Sequence, residues 1–118
     1  MATDDRIKFE YNFAVLTIRA EIKNIRFITT SFLRTAEQQN ELFKKNLSKC
    51  DGHESKSKHQ LGRAKDVVIV DKDGSLIWGH VPAYDILAEI WESLGGTWGG
   101  RWYIDGKTEF DDCYHFEM

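Results

Sequence analysis

The feature that most constrains the fold of this chain is a short apolar run followed at once by a turn. Residues 65–70 end in Val-Val-Ile-Val and have the composition of a buried strand. The sequence Asp-Lys-Asp-Gly at 71–74 is typical of a tight turn, and residues 75–78 return as a second arm. Residues 25–30 and about 112–118 are also strand-like. These segments predict a β-hairpin within a small antiparallel sheet.

A helical pattern precedes this hairpin. Over residues 4–23, four apolar side chains recur at helical spacing: Phe9, Phe13, Leu16 and Ala20. Three more apolar side chains widen the stripe: Val15, Ile18 and Ile22. We therefore expect this helix to be buried on more than one side.

Two further helices complete the prediction. Thr35 would cap the second helix, and the polar stretch 46–60 after it predicts a long loop. The third helix begins at Pro82 and ends at residues 95–96, both glycines. Its predicted inner face consists of Ala83, Leu87, Ile90 and Leu94. The predicted fold class is α+β, a small antiparallel sheet with helices packed on it.

Length, charge and composition exclude several classes of protein. The chain has 118 residues, from which we predict a single domain over 1–118. No apolar run is long enough to span a membrane, and the first residues lack the pattern of a signal peptide. A net charge of -3 argues against a dedicated nucleic-acid-binding protein, and two cysteines do not form a disulfide framework.

Two stretches contain residues suited to metal binding. His59 and Asp66 would meet if the chain bends at Gly62, and a neutral imidazole and a carboxylate are both zinc ligands. Asp112 and His115 would face opposite sides of a strand, so a bend before the strand is needed to bring both into one pocket. Two histidines, one aspartate and an open fourth position form the arrangement of a catalytic zinc, with Asp112 as the base. From spacing alone, surface or capped histidines explain the same residues.

Four motifs occur along the chain in a definite order. Residues 30–38 contain Thr-Ser-Phe-Leu-Arg-Thr-Ala-Glu-Gln, and residues 57–66 contain Ser-x-His-x-x-Gly-x-Ala-x-Asp. Residues 98–102 are Trp-Gly-Gly-Arg-Trp, and residues 112–117 are Asp-Cys-Tyr-His-Phe-Glu. Together they resemble the SGYRTxxEQ, SxHxxGxAxD, WGGxW and DxxHFE motifs of the zinc D-Ala-D-Ala carboxypeptidase and L-alanyl-D-glutamate endopeptidase family. The resemblance covers about residues 7–118.

This resemblance implies a hedgehog/DD-peptidase-like fold and a Zn²⁺ peptidase that acts on peptidoglycan stem peptides. It implies three zinc ligands, which are His59, Asp66 and His115, and it implies Asp112 as the catalytic base. Arg34 matches an arginine that binds substrate or stabilises the oxyanion, and Ser57 matches a substrate contact. We also assign Trp98 to substrate binding, since it could form the floor of the cleft. Phe32 and the pair Cys113-Tyr114 depart from the family pattern without removing a metal ligand.

The WGGxW segment favours an L-alanyl-D-glutamate endopeptidase of the phage endolysin branch, with D-Ala-D-Ala carboxypeptidase as the alternative. The absence of a signal peptide fits an enzyme made in the host cytoplasm and released to the wall by a holin. We expect a monomer that binds stem peptides, without a separate wall-binding domain, a nucleic-acid partner or membrane insertion.

Other interpretations of single residues remain open. Cys50 and His53 could form a structural zinc site with Cys113 and His115, and Asp111 is a second candidate for the base. Six basic residues could instead bind nucleic acid: Lys44, Lys45, Lys49, Lys56, Lys58 and Arg63. We expect two histidines, His53 and His80, at the surface, and four tryptophans in the core: Trp78, Trp91, Trp98 and Trp102. Glu117 either orients a ligand or is exposed.

Overall fold

Three helices and five strands make up the part of the chain that the computed structural model describes, residues 2–31, 58–59 and 61–118. The helices are α1 (Ala2–Ile22), α2 (Pro82–Ser93) and α3 (Gly99–Ile104). The strands are β1 (Arg26–Ser31), β2 (Ala64–Val70), β3 (Leu76–Ile77), β4 (Thr97–Trp98) and β5 (His115–Glu117). The helix predicted after Thr35 and most of the predicted loop 46–60 lie outside the described residues. No described helix has the length and apolarity to cross a membrane.

The strands form one antiparallel sheet in the order β1-β2-β5-β4. β3 pairs with the end of β2 through the predicted turn at 71–74, in which the Gly74 amide donates to the Asp71 carbonyl at 3.0 Å. The last strand is shorter than predicted, because it begins only at His115. The predicted α+β class with a small antiparallel sheet is confirmed.

One face of α1 supplies much of the core. The four side chains at helical spacing are all buried, as predicted: Phe9, Phe13, Leu16 and Ala20. The expectation that the helix is buried on more than one side is wrong, because Ile18 and Ile22 are 64% and 76% exposed. A stripe about 100° wide is sufficient for a helix that packs one face against α2 and β1. The helix ends at Ile22, and the φ of 60° at Asn24 then allows the Ile25 amide to donate to the Ala20 carbonyl.

Helix α2 begins at Pro82, as predicted, since proline lacks the N–H that the first helical turn leaves without an intrahelical partner. Its inner face contains Tyr84, Leu87, Ala88, Ile90 and Trp91, all buried, while Ala83 and Leu94 are partly buried at the edge of the core. Trp91 Nε1 donates to the Glu117 carbonyl at 2.9 Å, which connects α2 to β5. Trp78 does not lie in the core. It is 62% exposed because it follows β3 at the sheet edge.

The two faces of the sheet have different surroundings. Val67 and Ile69 of β2 belong to the core together with the helices, and so does Phe116 of β5. Because side chains alternate along a strand, Asp66 and His115 point to the opposite face. One face of the sheet is therefore packed on the helices, and the other carries the polar pair Asp66 and His115.

Candidate metal centre

Strand pairing brings together Asp66 and His115, which are far apart in the sequence. The two residues are direct partners in the antiparallel pairing of β2 with β5. Side chains of such partners lie next to each other on one face of the sheet. Nδ1 of His115 is accordingly 3.2 Å from Oδ1 of Asp66.

A turn before β2 adds His59 to this pair. The Gly62 amide donates to the His59 carbonyl at 3.2 Å, and the Arg63 amide donates to the Lys58 carbonyl at 2.8 Å. Gly62 has a φ of 68°, which favours glycine, and a Cβ there would lie 2.6 Å from Nε of Arg6 on α1. The predicted bend at Gly62 is present. It turns the chain into β2 and leaves His59 only 2% exposed.

The three predicted ligands have the spacing that a tetrahedral metal ion requires. Nε2 of His59 is 3.4 Å from Oδ1 of Asp66, and Nδ1 of His115 is 3.2 Å from the same oxygen. All three donor atoms lie within 4.8 Å of one another. Two ligands bound to zinc at about 2.0–2.1 Å with tetrahedral angles lie about 3.3 Å apart. The two histidines and the aspartate therefore fit a zinc ion.

The pKa values of Asp66 and His115 depend on each other, because the two side chains are in contact. Burial alone would raise the pKa of Asp66, but hydrogen bonds and charges from His115 and His59 hold it well below its usual range. Burial alone would lower the pKa of His115, yet its hydrogen bonds to Asp66 and Glu117 raise it to about 9. The carboxylate is thus ionised at neutral pH. In the metal-free protein a proton on His115 supplies the positive charge that an ion would otherwise bring.

Glu117 orients one of the ligands. It lies two positions after His115 on the same strand, and its Oε1 is 2.8 Å from Nε2 of His115. Asp66 and Glu117 are both carboxylates, which only accept hydrogen bonds, so both ring nitrogens of His115 donate in the metal-free protein. When a metal ion takes Nδ1, the contact with Glu117 keeps the remaining proton on Nε2. Glu117 was predicted either to orient a ligand or to be exposed, and its contact with His115 supports the first of these.

Asp112 lies three residues before His115, just ahead of β5, and so its backbone lies next to the candidate metal centre. The peptide carbonyl of Asp112 accepts a hydrogen bond from the His115 amide at 3.1 Å, and its charge contributes to the raised pKa of His115. Gly99, the first residue of α3, packs directly against it. A Cβ on Gly99 would be 2.5 Å from the Asp112 carbonyl oxygen. The bend that the odd spacing of Asp112 and His115 requires is thus present.

Comparison with known proteins identifies the family. Residues 51–118 match a family of M15 peptidases described as D-alanyl-D-alanine carboxypeptidase. Peptidoglycan L-alanyl-D-glutamate endopeptidase CwlK of Bacillus subtilis (strain 168) is 31% identical over 122 residues, covering 91% of this chain and 69% of CwlK. The chain belongs to the M15 peptidase family. The resemblance stated from the motifs is confirmed, and the protein is a peptidase.

Solved structures of M15 peptidases share its fold. The L-Ala D-Glu endopeptidase ChiX of Serratia marcescens has a TM-score of 0.64 at 25% identity, covering 88% of this chain and 76% of ChiX. The vancomycin-resistance D,D-pentapeptidase VanY in complex with Zn(II) has a TM-score of 0.58 at 19% identity, covering 94% of this chain and 70% of VanY. VanYB in complex with D-alanine-D-alanine has a TM-score of 0.56, also at 19% identity, with coverage of 94% and 69%. These likenesses confirm the hedgehog/DD-peptidase-like fold.

A second polar cluster in this M15 peptidase was not predicted from the sequence. His80 is not a surface histidine. Its side chain is 21% exposed, its Nδ1 lies 2.5 Å from Oδ2 of Asp111, and its Nε2 lies 3.0 Å from Oδ1 of Asp85. No sequence signal links His80 to Asp111, because they are 31 positions apart.

The second cluster, which also contains Cys113, is held by a hydrogen bond in this structure and is not spaced for a metal ion. The 2.5 Å separation is that of a hydrogen bond and is too short for two ligands of one tetrahedral ion. Burial raises the pKa of the Cys113 thiol to about 12, so Cys113 is protonated. Cys113 and His115 thus belong to different clusters, which does not support the structural zinc site proposed with Cys50 and His53. Both of those residues lie outside the described part of the chain.

The prediction that Trp98 binds substrate needs correction. Its ring is fully buried, as predicted for a core residue, and its Nε1 donates to the Cys113 carbonyl at 2.8 Å. Trp102 is only partly buried, and its ring centroid lies 5.5 Å from that of His115. Arg34 and Ser57 lie outside the described residues, so their roles stay predictions.

The predicted basic patch is described only in part. Four of its lysines lie outside the described residues: Lys44, Lys45, Lys49 and Lys56. Nη1 of Arg63 lies 3.8 Å from Oδ2 of Asp5 on α1, so this arginine has an acidic neighbour. The described part of the patch does not favour a nucleic-acid partner.

Proposed function

We propose that this M15 peptidase is a zinc-dependent L-alanyl-D-glutamate endopeptidase that hydrolyses peptidoglycan stem peptides. The observation that carries the proposal is the placement of His59, Asp66 and His115 at the ligand spacing of a tetrahedral ion. Family membership supplies the reaction class, hydrolysis of a peptide bond. CwlK and ChiX, at 31% and 25% identity, are both named as L-alanyl-D-glutamate endopeptidases, which supports this bond as the one cut.

The three ligands would hold the ion through Nε2 of His59, Oδ1 of Asp66 and Nδ1 of His115, with a fourth position for water or substrate. A zinc ion bound there supplies Lewis acidity, which polarises a carbonyl group and lowers the pKa of a water molecule. Glu117 holds His115 in the tautomer that leaves Nδ1 available.

We assign the proton transfers to Asp112. Hydrolysis forms a C–O bond from water and breaks the C–N bond, so one proton leaves the water and the departing amine gains one. A carboxylate beside the reacting atoms can accept the first proton and donate it to the amine. The backbone hydrogen bond between Asp112 and His115 supports this assignment, whereas the Asp111 carboxylate is already bonded to His80.

Substrate contacts come from other parts of the chain. Arg34 remains our prediction for stabilising the oxyanion, a role that supplies about 3 kcal/mol when a donor is well placed. Ser57 remains a predicted substrate contact. Trp102 replaces Trp98 as the aromatic side chain that we expect to line the cleft, because it lies beside His115 and is partly exposed.

Mass spectrometry of digested, purified peptidoglycan tests the bond that is cut. We expect fragments with a new amino-terminal glutamate. Released D-alanine would indicate a carboxypeptidase instead, the activity that the matched family's description names. Removing metal with a chelator should abolish digestion, and added zinc should restore it.

Variants test the assigned residues. Asp112→Asn should retain zinc and lose turnover, whereas His115→Gln should lose zinc as well. Normal digestion by Asp112→Asn would refute the assignment of the base. A Cys113→Ser variant should retain zinc, since Cys113 lies in the other cluster. The phage endolysin role is a separate proposal, for which co-expression with a holin should lyse the host.

A further inference from the structure

The segment that carries Asp112 is held firmly on its carboxyl-terminal side. We call residues 111–115 the Asp112 segment. Trp98 Nε1 donates to the Cys113 carbonyl at 2.8 Å, and the Val67 amide donates to the Tyr114 carbonyl at 2.9 Å. These bonds attach the segment to β4 and to the central strand, β2.

The amino-terminal side of the segment has different surroundings. The chain reaches it through residues 105–110, which are exposed apart from residue 108, and Phe110 is 62% exposed. At the start of the segment, Asp111 forms a hydrogen bond with His80, at 2.5 Å. This bond therefore connects the loosely packed side of the Asp112 segment to the body of the protein.

His80 is itself fixed in place. Its second ring nitrogen is 3.0 Å from Oδ1 of Asp85 in the first turn of α2. Its ring also packs edge-on against Trp98, with centroids 5.4 Å apart. We call the chain Asp85–His80–Asp111 the His80 bridge, because it joins helix α2 to the Asp112 segment.

The Asp111 carboxylate depends on this bridge. Its Oδ2 is bonded to His80, while its Oδ1 is buried and receives no hydrogen bond from the described residues. A buried carboxylate that loses its hydrogen bonds is costly, so it moves toward water if it can. Loss of His80 would release Asp111 toward solvent and shift Asp112, the next residue.

We propose that His80 is a positioning residue that holds Asp112 at the metal centre through Asp111. The inference rests on the proposed function, in which Asp112 is the base. Displacing a catalytic group by about 1 Å can reduce the rate a hundredfold, so the efficiency of Asp112 depends on this fixed position. His80 lies in a different cluster from the three predicted metal ligands.

Kinetics of zinc-loaded His80→Ala and Asp111→Ala test the proposal. We expect each variant to lower kcat about tenfold, with KM and zinc content unchanged, because binding groups stay in place while the base is displaced. The double variant should lose little more than either single one, since both break the same bond. Asp111 follows the mostly exposed residues 105–110, so we expect Asp111→Ala to fold even if His80→Ala does not, and it breaks the same hydrogen bond.

Glu92→Gln is the matched control. It removes the ion pair between Glu92 of α2 and Arg101 of α3, with Nη2 to Oε1 at 2.9 Å, without touching the His80 bridge. It should keep the wild-type kcat. An equal loss of kcat in this control would overturn the proposal, because any weakening of α2 would then have the same effect.

Two further measurements separate this proposal from the assignment of the base. If Asp112→Asn is inactive while His80→Ala and Asp111→Ala turn over normally, the positioning role is refuted and the base stands. If Asp112→Asn is fully active, both the assignment of Asp112 as the base and the positioning role of His80 are refuted. Amide hydrogen exchange in the Asp112 segment, measured without substrate, should accelerate in His80→Ala but not in Glu92→Gln, and unchanged exchange would refute the proposal.

Discussion

Replacing Gly99 by alanine should slow turnover sharply while zinc stays bound. A Cβ on Gly99 would lie 2.5 Å from the Asp112 carbonyl oxygen and 3.0 Å from Cβ of His115. Cβ contacts under 3.0 Å essentially do not occur, and ordinary contact begins at 3.4 Å. The backbone at residue 99 and at Asp112 must therefore separate by 0.5 to 0.9 Å, the differences from 2.5 Å. The displaced atom belongs to the backbone and cannot rotate away.

The expected size of the effect follows from this displacement. A shift of about 1 Å in a catalytic group can cost a hundredfold in rate, so we expect kcat of Gly99→Ala to fall roughly ten- to a hundredfold. Overpacking should also lower the free energy of unfolding by about 1–3 kcal/mol. Initial rates of stem-peptide hydrolysis by zinc-loaded protein measure the first effect, and urea denaturation measures the second.

Gly74→Ala is the control for lost stability. Gly74 has a φ of 90° in the β2–β3 turn, and a methyl group added there would have no described atom within 4 Å, so alanine is strained at this position without meeting the site. It should be less stable and keep the wild-type kcat. The reasoning fails if Gly99→Ala turns over at the wild-type rate, or if Gly74→Ala loses as much kcat.

Three further predictions concern titratable groups. Glu117→Gln should lower zinc affinity about ten- to a hundredfold in competition with a chelator, because glutamine no longer selects the tautomer of His115; unchanged affinity would contradict the orienting role. In a Cys50→Ser background, Cys113 should resist alkylation at pH 8 in the folded protein and react after unfolding. A pKa of about 12 instead of 9.0 reduces the thiolate fraction roughly a thousandfold. Rapid labelling of the folded protein would disprove the burial of Cys113. Burial alone would lower the pKa of His80, but two carboxylates raise it above 6.5, so NMR titration of zinc-loaded protein should place its midpoint higher. Its stabilising contribution is then complete below pH 6.5 and is lost as the pH rises through the folded-state pKa, and a midpoint at or below 6.5 would contradict this.

The candidate metal centre could be predicted because the motifs that resemble those of the family are local. The bend at Gly62 and the start of β2 place His59 and Asp66 on one side of the sheet, and both follow from residue types within ten positions. The His80 bridge could not be predicted in this way. It joins residues 31 positions apart, and a histidine before a proline-initiated helix has no preferred partner.

The corrected tryptophans show a related limit. Trp78 directly follows the short strand β3 and Trp98 ends the short strand β4, yet the first is 62% exposed and the second is fully buried. Hydrophobicity predicts that tryptophan will be buried somewhere, but only the position of its strand in the sheet decides whether a helix covers it.

By itself, the sequence determined the α+β class and the family, and the family motifs predicted the three metal ligands, because periodicity and motifs act over a few residues. The tertiary structure decided which groups support those ligands. Pairing of β2 with β5 sets the distance from Asp66 to His115, and contacts from Gly99 and from the His80 bridge set the surroundings of Asp112. These distances depend on contacts between segments that are remote in the chain, and such contacts leave no periodic trace in the sequence.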